Sequence, residues 1–272
     1  MYQIKRLLLT KMSGMRLLSL NHYWRICAAG ISYVLFGLGA FLPGIYIFCL
    51  ALIPMSQETK QRKVRHSIKV LCRFYVDVMQ FLGLMTYTVD GPRPNKLEGH
   101  MVISNHSMLI DALFGLAYID NLCCVVKSAL VTNPFTRIPI KLAGYISNSD
   151  PNLIDVAGAK LAAGENILIF PEGTRNTSDL QLDFRRGAAN MAVINQAPLL
   201  PITICCMPRA LSKEEKWYQL PDVKSKIVMR FDNPISINDH IDSDAPRPRQ
   251  YRQLTQALRE YYAKAISNIV GL

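Results

Sequence analysis

His106 and Asp111 stand five residues apart in HMVISNHSMLIDALFGL, where the apolar run Met101–Ser104 gives way to Asn105-His106 and then to a helical pattern. Where a strand turns into a helix, a carboxylate at that distance can fold back onto the imidazole. Histidine is the side chain whose ordinary titration falls nearest neutrality. With an aspartate orienting one ring nitrogen, the other can take a proton from an alcohol. Five histidines and thirteen aspartates among 272 residues give about 0.2 such spacings by chance, so the pair alone does not fix the chemistry. His100 has no acid at that spacing and reads as structural.

A second candidate is the loop in ILIFPEGTRN. An apolar strand stops at Phe170, and Pro171, Glu172, Gly173, Thr174 and Arg175 follow. Gly173 lets backbone approach a ligand, Thr174 and the amides donate hydrogen bonds, and Arg175 offers a planar fork suited to phosphate. Taken alone, the loop also admits a plainer reading in which Glu172 and Arg175 pair across a turn. Two such loops at strand ends narrow the choice, because chemistry in α/β sheets collects at the carboxyl ends of strands.

The elements that must position these loops alternate. Apolar, β-branched runs occur at 85–89, Met101–Ser104, Leu122–Val126, 167–170, 199–206 and 226–231, with helix-length periodic segments between several of them. Ser149-Asp150 can cap a helix with Pro151 in its first turn, running through Ala163 to Gly164. A second helix is expected from near Phe184 to near Asn195, and a polar helix over 249–270 closes the chain. The reading is an α/β class domain, a mostly parallel sheet flanked by helices, over residues 85–272.

Ahead of it, residues 1–84 read as a basic, apolar, membrane-binding helical region. Residues 1–73 carry eleven of the 31 basic residues and one acid, Glu58, whereas the rest of the chain is nearly neutral. A nucleic-acid reader would put its basic surface on the folded body, so this placement argues against nucleic acid and for an anionic membrane surface. Residues 26–57 hold no charge for 32 positions, more than the ~20 needed to cross a bilayer. Pro43-Gly44 divides that stretch, which leaves one kinked crossing or a hairpin dipping into one leaflet, the hairpin being favoured. Basic residues on both flanks, Arg25 and Arg65 among them, suit two cytoplasmic ends. Ile4, Leu7, Leu8, Met12, Met15 and Leu18 recur at helical spacing, the pattern of an interfacial helix.

The seven cysteines show neither a disulfide framework nor metal-ligand spacing; Cys123-Cys124 and Cys205-Cys206 sit inside apolar runs and read as buried free thiols. No metal site and no cofactor are expected.

Through NHSMLID at 105–111 and FPEGTR at 170–175, the sequence resembles the glycerolipid acyltransferases, the family of 1-acylglycerol-3-phosphate acyltransferases and their relatives. The similarity of order extends over about residues 85–235, with Lys127 in VVKSAL and Pro201 in LLPITI where the family has its other two blocks. It implies a membrane-associated enzyme on the cytoplasmic face (the inner membrane in a bacterium). Such an enzyme passes a fatty acyl group from acyl-CoA or acyl carrier protein to a lysolipid hydroxyl. By the same resemblance His106 and Asp111 are catalytic, and Asn105, Glu172, Gly173, Thr174, Arg175, Lys127 and Pro201 bind substrate.

One departure concerns the acceptor. Glycerol-phosphate members tend to carry a basic residue after the second block, where this chain reads GYISNSD over 144–150 with Asn148 and no arginine. Lysophosphatidic acid remains the leading acceptor, with Lys141 a nearby base. Acyltransfer in a glycolipid or polyene lipid pathway is the alternative. A hydrolase using Ser107 or water, and a non-catalytic membrane scaffold, are the remaining readings; GxSxG is absent.

Overall fold

The computed structural model describes residues 20–92, 97–134, 136–175, 182–211 and 215–271, with backbone alone at 20 and 39–51. The elements are α1 (Leu20–Leu52), α2 (Gln57–Phe81), β1 (Met85–Asp90), β2 (Met101–Ser104), α3 (Asp111–Tyr118), β3 (Leu122–Val126), α4 (Ser128–Thr132) and α5 (Arg137–Ala143). There follow β4 (Ile146–Ser147), α6 (Leu153–Ala162), β5 (Asn166–Ile169), α7 (Arg186–Asn195), β6 (Leu199–Met207), β7 (Ser225–Phe231) and α8 (Arg247–Val270).

The strands form one seven-stranded sheet in the order β1-β7-β6-β2-β5-β3-β4. All neighbours pair in parallel except β6 and β7, so the expected mostly parallel α/β sheet is present. Strands β2 and β5 are buried at every position, as a sheet covered on both faces requires. Edge strand β1 instead alternates, with its outward residues exposed. Met101 and Ile103 point into one core with Ala157, Met191 and Leu258 of α6, α7 and α8. Val102 points the other way, into a core with Val76 and Met79 of α2 and Phe114 of α3. This period of two places the carboxyl end of β2 in the middle of a sheet edge, rigid on both sides.

Several expectations are revised. Helix α1 runs unbroken through Pro43 and Gly44 in place of two pieces divided there. Among the described residues no helix is long and apolar enough to cross a membrane. The interfacial pattern from Ile4 to Leu18 and the Cys49 side chain lie outside the described residues. Two of the flanking positive charges turn inward. Arg25 is 1% exposed, and Arg65 is buried in a bridge to Glu165 at 2.9 Å with Lys160 at 3.0 Å from the same carboxylate. Helix α6 starts at Leu153, because Asp150 Oδ1 accepts from Asn152 N at 2.9 Å and turns the chain first. Strand β4 and helices α4 and α5 are too short to impose a period on the sequence.

Candidate active site

The loop after β2 is braced from three directions. Asn105 acts like a strand residue: its Nδ2 donates to Ile204 O at 2.7 Å, and Ile204 N donates to its Oδ1 at 2.8 Å, which ties the loop to β6. Being 2% exposed, Asn105 positions the loop from within. Glu172, buried at the carboxyl end of β5, accepts the His106 amide at 3.1 Å. Asp111 begins α3 and turns one oxygen back over the loop. Its Oδ2 accepts from His106 Nδ1 at 3.0 Å, Ser107 N at 2.7 Å and Met108 N at 2.8 Å. A carboxylate in the first turn of a helix also faces the positive end of the helix dipole. The His106 ring stacks on Phe170, with centroids 4.5 Å apart.

If Asp111 accepts from Nδ1–H, the lone pair of a neutral imidazole lies on Nε2, where a base needs it. The His106 side chain keeps 19% of its surface exposed while that of Asp111 keeps none. Burial pushes the Asp111 carboxyl up from the usual carboxylate range, and the hydrogen bonds from His106, Met108 and Ser107 oppose that rise.

The second loop meets the first. Gly173 takes φ +66°, a left-handed conformation that suits glycine, and the Arg185 side chain lies 3.5 Å from where a Cβ would stand. Thr174 is half-buried beside it. Arg175 Nη1 donates to Leu211 O at 3.0 Å, and Leu109 N donates to the same carbonyl at 3.2 Å, so the Arg175 loop and the His106 loop share a brace. Arg209 was missed by sequence reasoning. It follows β6 and donates from Nη2 to Ser107 O at 3.3 Å. The rule that singled out Arg175, a guanidinium just past a strand's carboxyl end, would have found it.

The other expected binding residues lie elsewhere. Pro201 sits inside β6 opposite Ile103, buried; it brings no N–H to the ladder, and the Tyr262 hydroxyl donates to Ile103 O at 2.6 Å beside it. Its role there is in the sheet, away from the loops. Lys127 is exposed at the end of β3, with β5 between that strand and β2. Asn148 Oδ1 accepts from Ser128 N at 3.0 Å, so the amide oxygen is used at the start of α4.

Beside the loops is a cavity of about 240 Å³ between α1, α2 and the edge of the sheet. Its lining is almost wholly apolar and includes Tyr33, Met79, Met108, Ile110, Leu211 and Trp217. Met108 and Ile110 belong to the His106 loop, so the cavity begins where that loop ends. Burial pushes the thiols of Cys72 and Cys123 up, to about 12 and about 11. Among the described residues no group of three or more potential metal ligands occurs.

A family model described as Acyltransferase matches residues 87–205. The chain is 25% identical over 215 residues to mouse 1-acyl-sn-glycerol-3-phosphate acyltransferase alpha, covering 76% of this chain and 74% of that protein. It is 28% identical over 178 residues to 1-acyl-sn-glycerol-3-phosphate acyltransferase from Pseudomonas aeruginosa, covering 62% and 67%. The crystal structure of a 1-acyl-sn-glycerophosphate acyltransferase from Thermotoga maritima superposes with a TM-score of 0.71 over 94% of this chain and 99% of that one. At 17% identity that likeness establishes the fold.

Proposed function

On the premise of the Acyltransferase match over residues 87–205, we propose that the chain is a glycerolipid acyltransferase that passes a fatty acyl group from a thioester donor to a lysophospholipid hydroxyl at a membrane surface. The observation that carries this reading is the 3.0 Å contact between His106 Nδ1 and Asp111 Oδ2, in a loop whose Met108 and Ile110 line an apolar cavity. The acceptor hydroxyl gives its proton to His106 Nε2 as its oxygen attacks the thioester carbonyl. Collapse of the tetrahedral intermediate expels the donor's thiolate, which takes that proton back from the imidazolium. Asp111 holds the ring and stabilises its charge between the two steps. The route needs no enzyme nucleophile, and Ser107 Oγ, buried with no hydrogen-bond partner among the described residues, is not held by the base as a nucleophile would be.

Arg175 and Arg209 border the loop and suit the phosphate of the acceptor, or that of coenzyme A or a phosphopantetheine arm. Of possible acceptors we favour 1-acylglycerol-3-phosphate, which these two guanidinium groups support. A phosphate-free acceptor is the second reading, favoured by the commitment of Asn148 to the start of α4. Membrane attachment through residues 1–84, on the cytoplasmic face, is supported by the uncharged stretch 26–57 and by exposed apolar side chains on α1 and α2. Among these, Trp24 is 52% exposed, Phe74 64% and Phe81 89%.

The test is the purified full chain with acyl-CoA or acyl carrier protein against a panel of lysolipids, the products read by mass spectrometry. Acyl transfer that depends on a lipid hydroxyl, with lysophosphatidic acid foremost, is expected. Thioester loss at the same rate without any acceptor would make the protein a hydrolase.

A further inference from the structure

Among the described residues that line the apolar cavity, Arg25 is the one charged side chain. It projects from α1 into the lining, is 1% exposed, and donates from Nη1 to Pro221 O at 2.8 Å. Its Nε and Nη2 have no hydrogen-bond partner among the described residues. Asp222 acts on the guanidinium electrostatically, without a hydrogen bond to either of those atoms. The two orphaned atoms are not a random pair. Nε–H and the neighbouring Nη2–H form the side-on fork of a guanidinium, two parallel donors matched to a group that presents two oxygens. A buried charge with an unfilled fork is costly to keep, and orphaned buried donors are uncommon enough to require a reason.

The cavity supplies one. Its walls suit hydrocarbon and include Leu211, the carbonyl of which holds Arg175. Tyr33, also in the lining, is within electrostatic reach of Arg175. Arg25 is eight residues before Tyr33 on the same helix, which sets it ~12 Å away along the axis. We propose that the Arg25 fork is a second oxyanion site, within the lipid cavity and apart from Arg175, that takes a phosphate or carboxylate carried on the lipid filling the cavity. It makes Arg25 a specificity-determining residue: a lipid with an anionic group at that depth fills the fork, and a plain hydrocarbon leaves it empty.

The inference rests on the lipid-binding reading of the cavity, so it is tested by direct binding, whose outcome does not depend on turnover. The probes are hexadecyl phosphate and hexadecanol, titrated into the full chain in neutral detergent and followed by the fluorescence of Trp217, which lines the cavity. Trp24→Phe removes the other of the two tryptophans. The protein with Arg25 intact should bind the phosphate at least ~10-fold more tightly, the loss typical of a charge-assisted pair. In Arg25→Met and Arg25→Gln that ratio should collapse toward one, and Arg25→Lys should fall between. Equal binding with Arg25 intact, or a preference that survives both variants, overturns the proposal. Two further pairs locate the oxyanion. An Arg25-dependent preference for lysophosphatidic acid over monoacylglycerol assigns it to an acceptor headgroup. One for hexadecanedioate over hexadecanoate assigns it to the far end of an acyl chain. Failure of both pairs also overturns the proposal, whereas loss of acyl transfer with the oxyanion preference intact would count against the function alone.

Discussion

Replacing Asp111 by asparagine separates the charge of that side chain from its shape. The amide oxygen can still accept from Ser107 N and Met108 N, now at 2.7 and 2.8 Å, so the loop should keep its path. What disappears is the negative charge 3.0 Å from His106 Nδ1. The imidazolium formed during transfer has its charge centred about 4 Å from that oxygen, and at an effective dielectric near 20 the lost attraction is about 4 kcal/mol. Some of it returns through solvent at a ring that is 19% exposed, so kcat should fall by roughly 10²–10³-fold with KM little changed. Stability should move in the opposite sense. Burial raises the native Asp111 carboxyl above its unfolded value, so the native state holds its proton longer. The stability it contributes is present below the ordinary carboxylate range and is lost as pH rises through the raised native value. The neutral amide carries no such penalty, and the Asp111→Asn variant should gain in melting temperature relative to the parent across that window. Steady-state kinetics with saturating donor, paired with melting curves over a pH series, test both halves. An Asn variant with kcat within about three-fold of the parent would refute the role of Asp111 as the orienting, charge-stabilising partner.

Arg175→Lys should raise KM for the phosphate-bearing substrate by ~10-fold, because an ammonium cannot both hold Leu211 O and present a fork; unchanged KM for donor and acceptor alike would end that assignment. Arg65→Met removes the partner of Glu165 at 2.9 Å and leaves a buried carboxylate with Lys160 alone, which should cost about 3 kcal/mol, or a melting temperature lower by ~6–10 °C. A calorimetric shift near zero would show that pair to be dispensable. Phe74→Glu with Phe81→Glu, at side chains 64% and 89% exposed, should weaken co-sedimentation with anionic vesicles by at least ~10-fold while leaving the melting temperature in place. Undiminished vesicle binding would move the membrane contact away from α2.

What could be read in advance depended on how far apart in sequence the deciding contacts lie. Strands β2 and β3 were legible to the residue, since a short apolar run bounded by turns is a local property, and β5, β6 and β7 shifted by a residue at one or both ends. The approach of His106 to Asp111 was legible for the same reason: five residues span one strand-to-helix turn, and an acid in the first turn of a helix is held near the preceding loop. Asn105 could be noticed as polar but not understood, because its partner Ile204 is 99 residues away. Pro201, conspicuous in a matching block, lies inside β6 opposite Ile103, a placement that depends on a strand about a hundred residues earlier.

Arg25 marks the limit most sharply. Beside an uncharged stretch of 32 residues, any arginine reads as a solvated flank, and composition gives no hint that it faces inward. Its burial depends on Pro221, 196 positions later, and on a cavity to which α1, α2 and the sheet edge each contribute a wall. The same positive charge that counts toward attachment at a membrane surface when read along the chain therefore becomes, once folded, a group with no water to face. Hydrocarbon alone cannot compensate it, and that difference makes Arg25 a question about the lipid in the cavity, where the sequence had posed only one about the membrane.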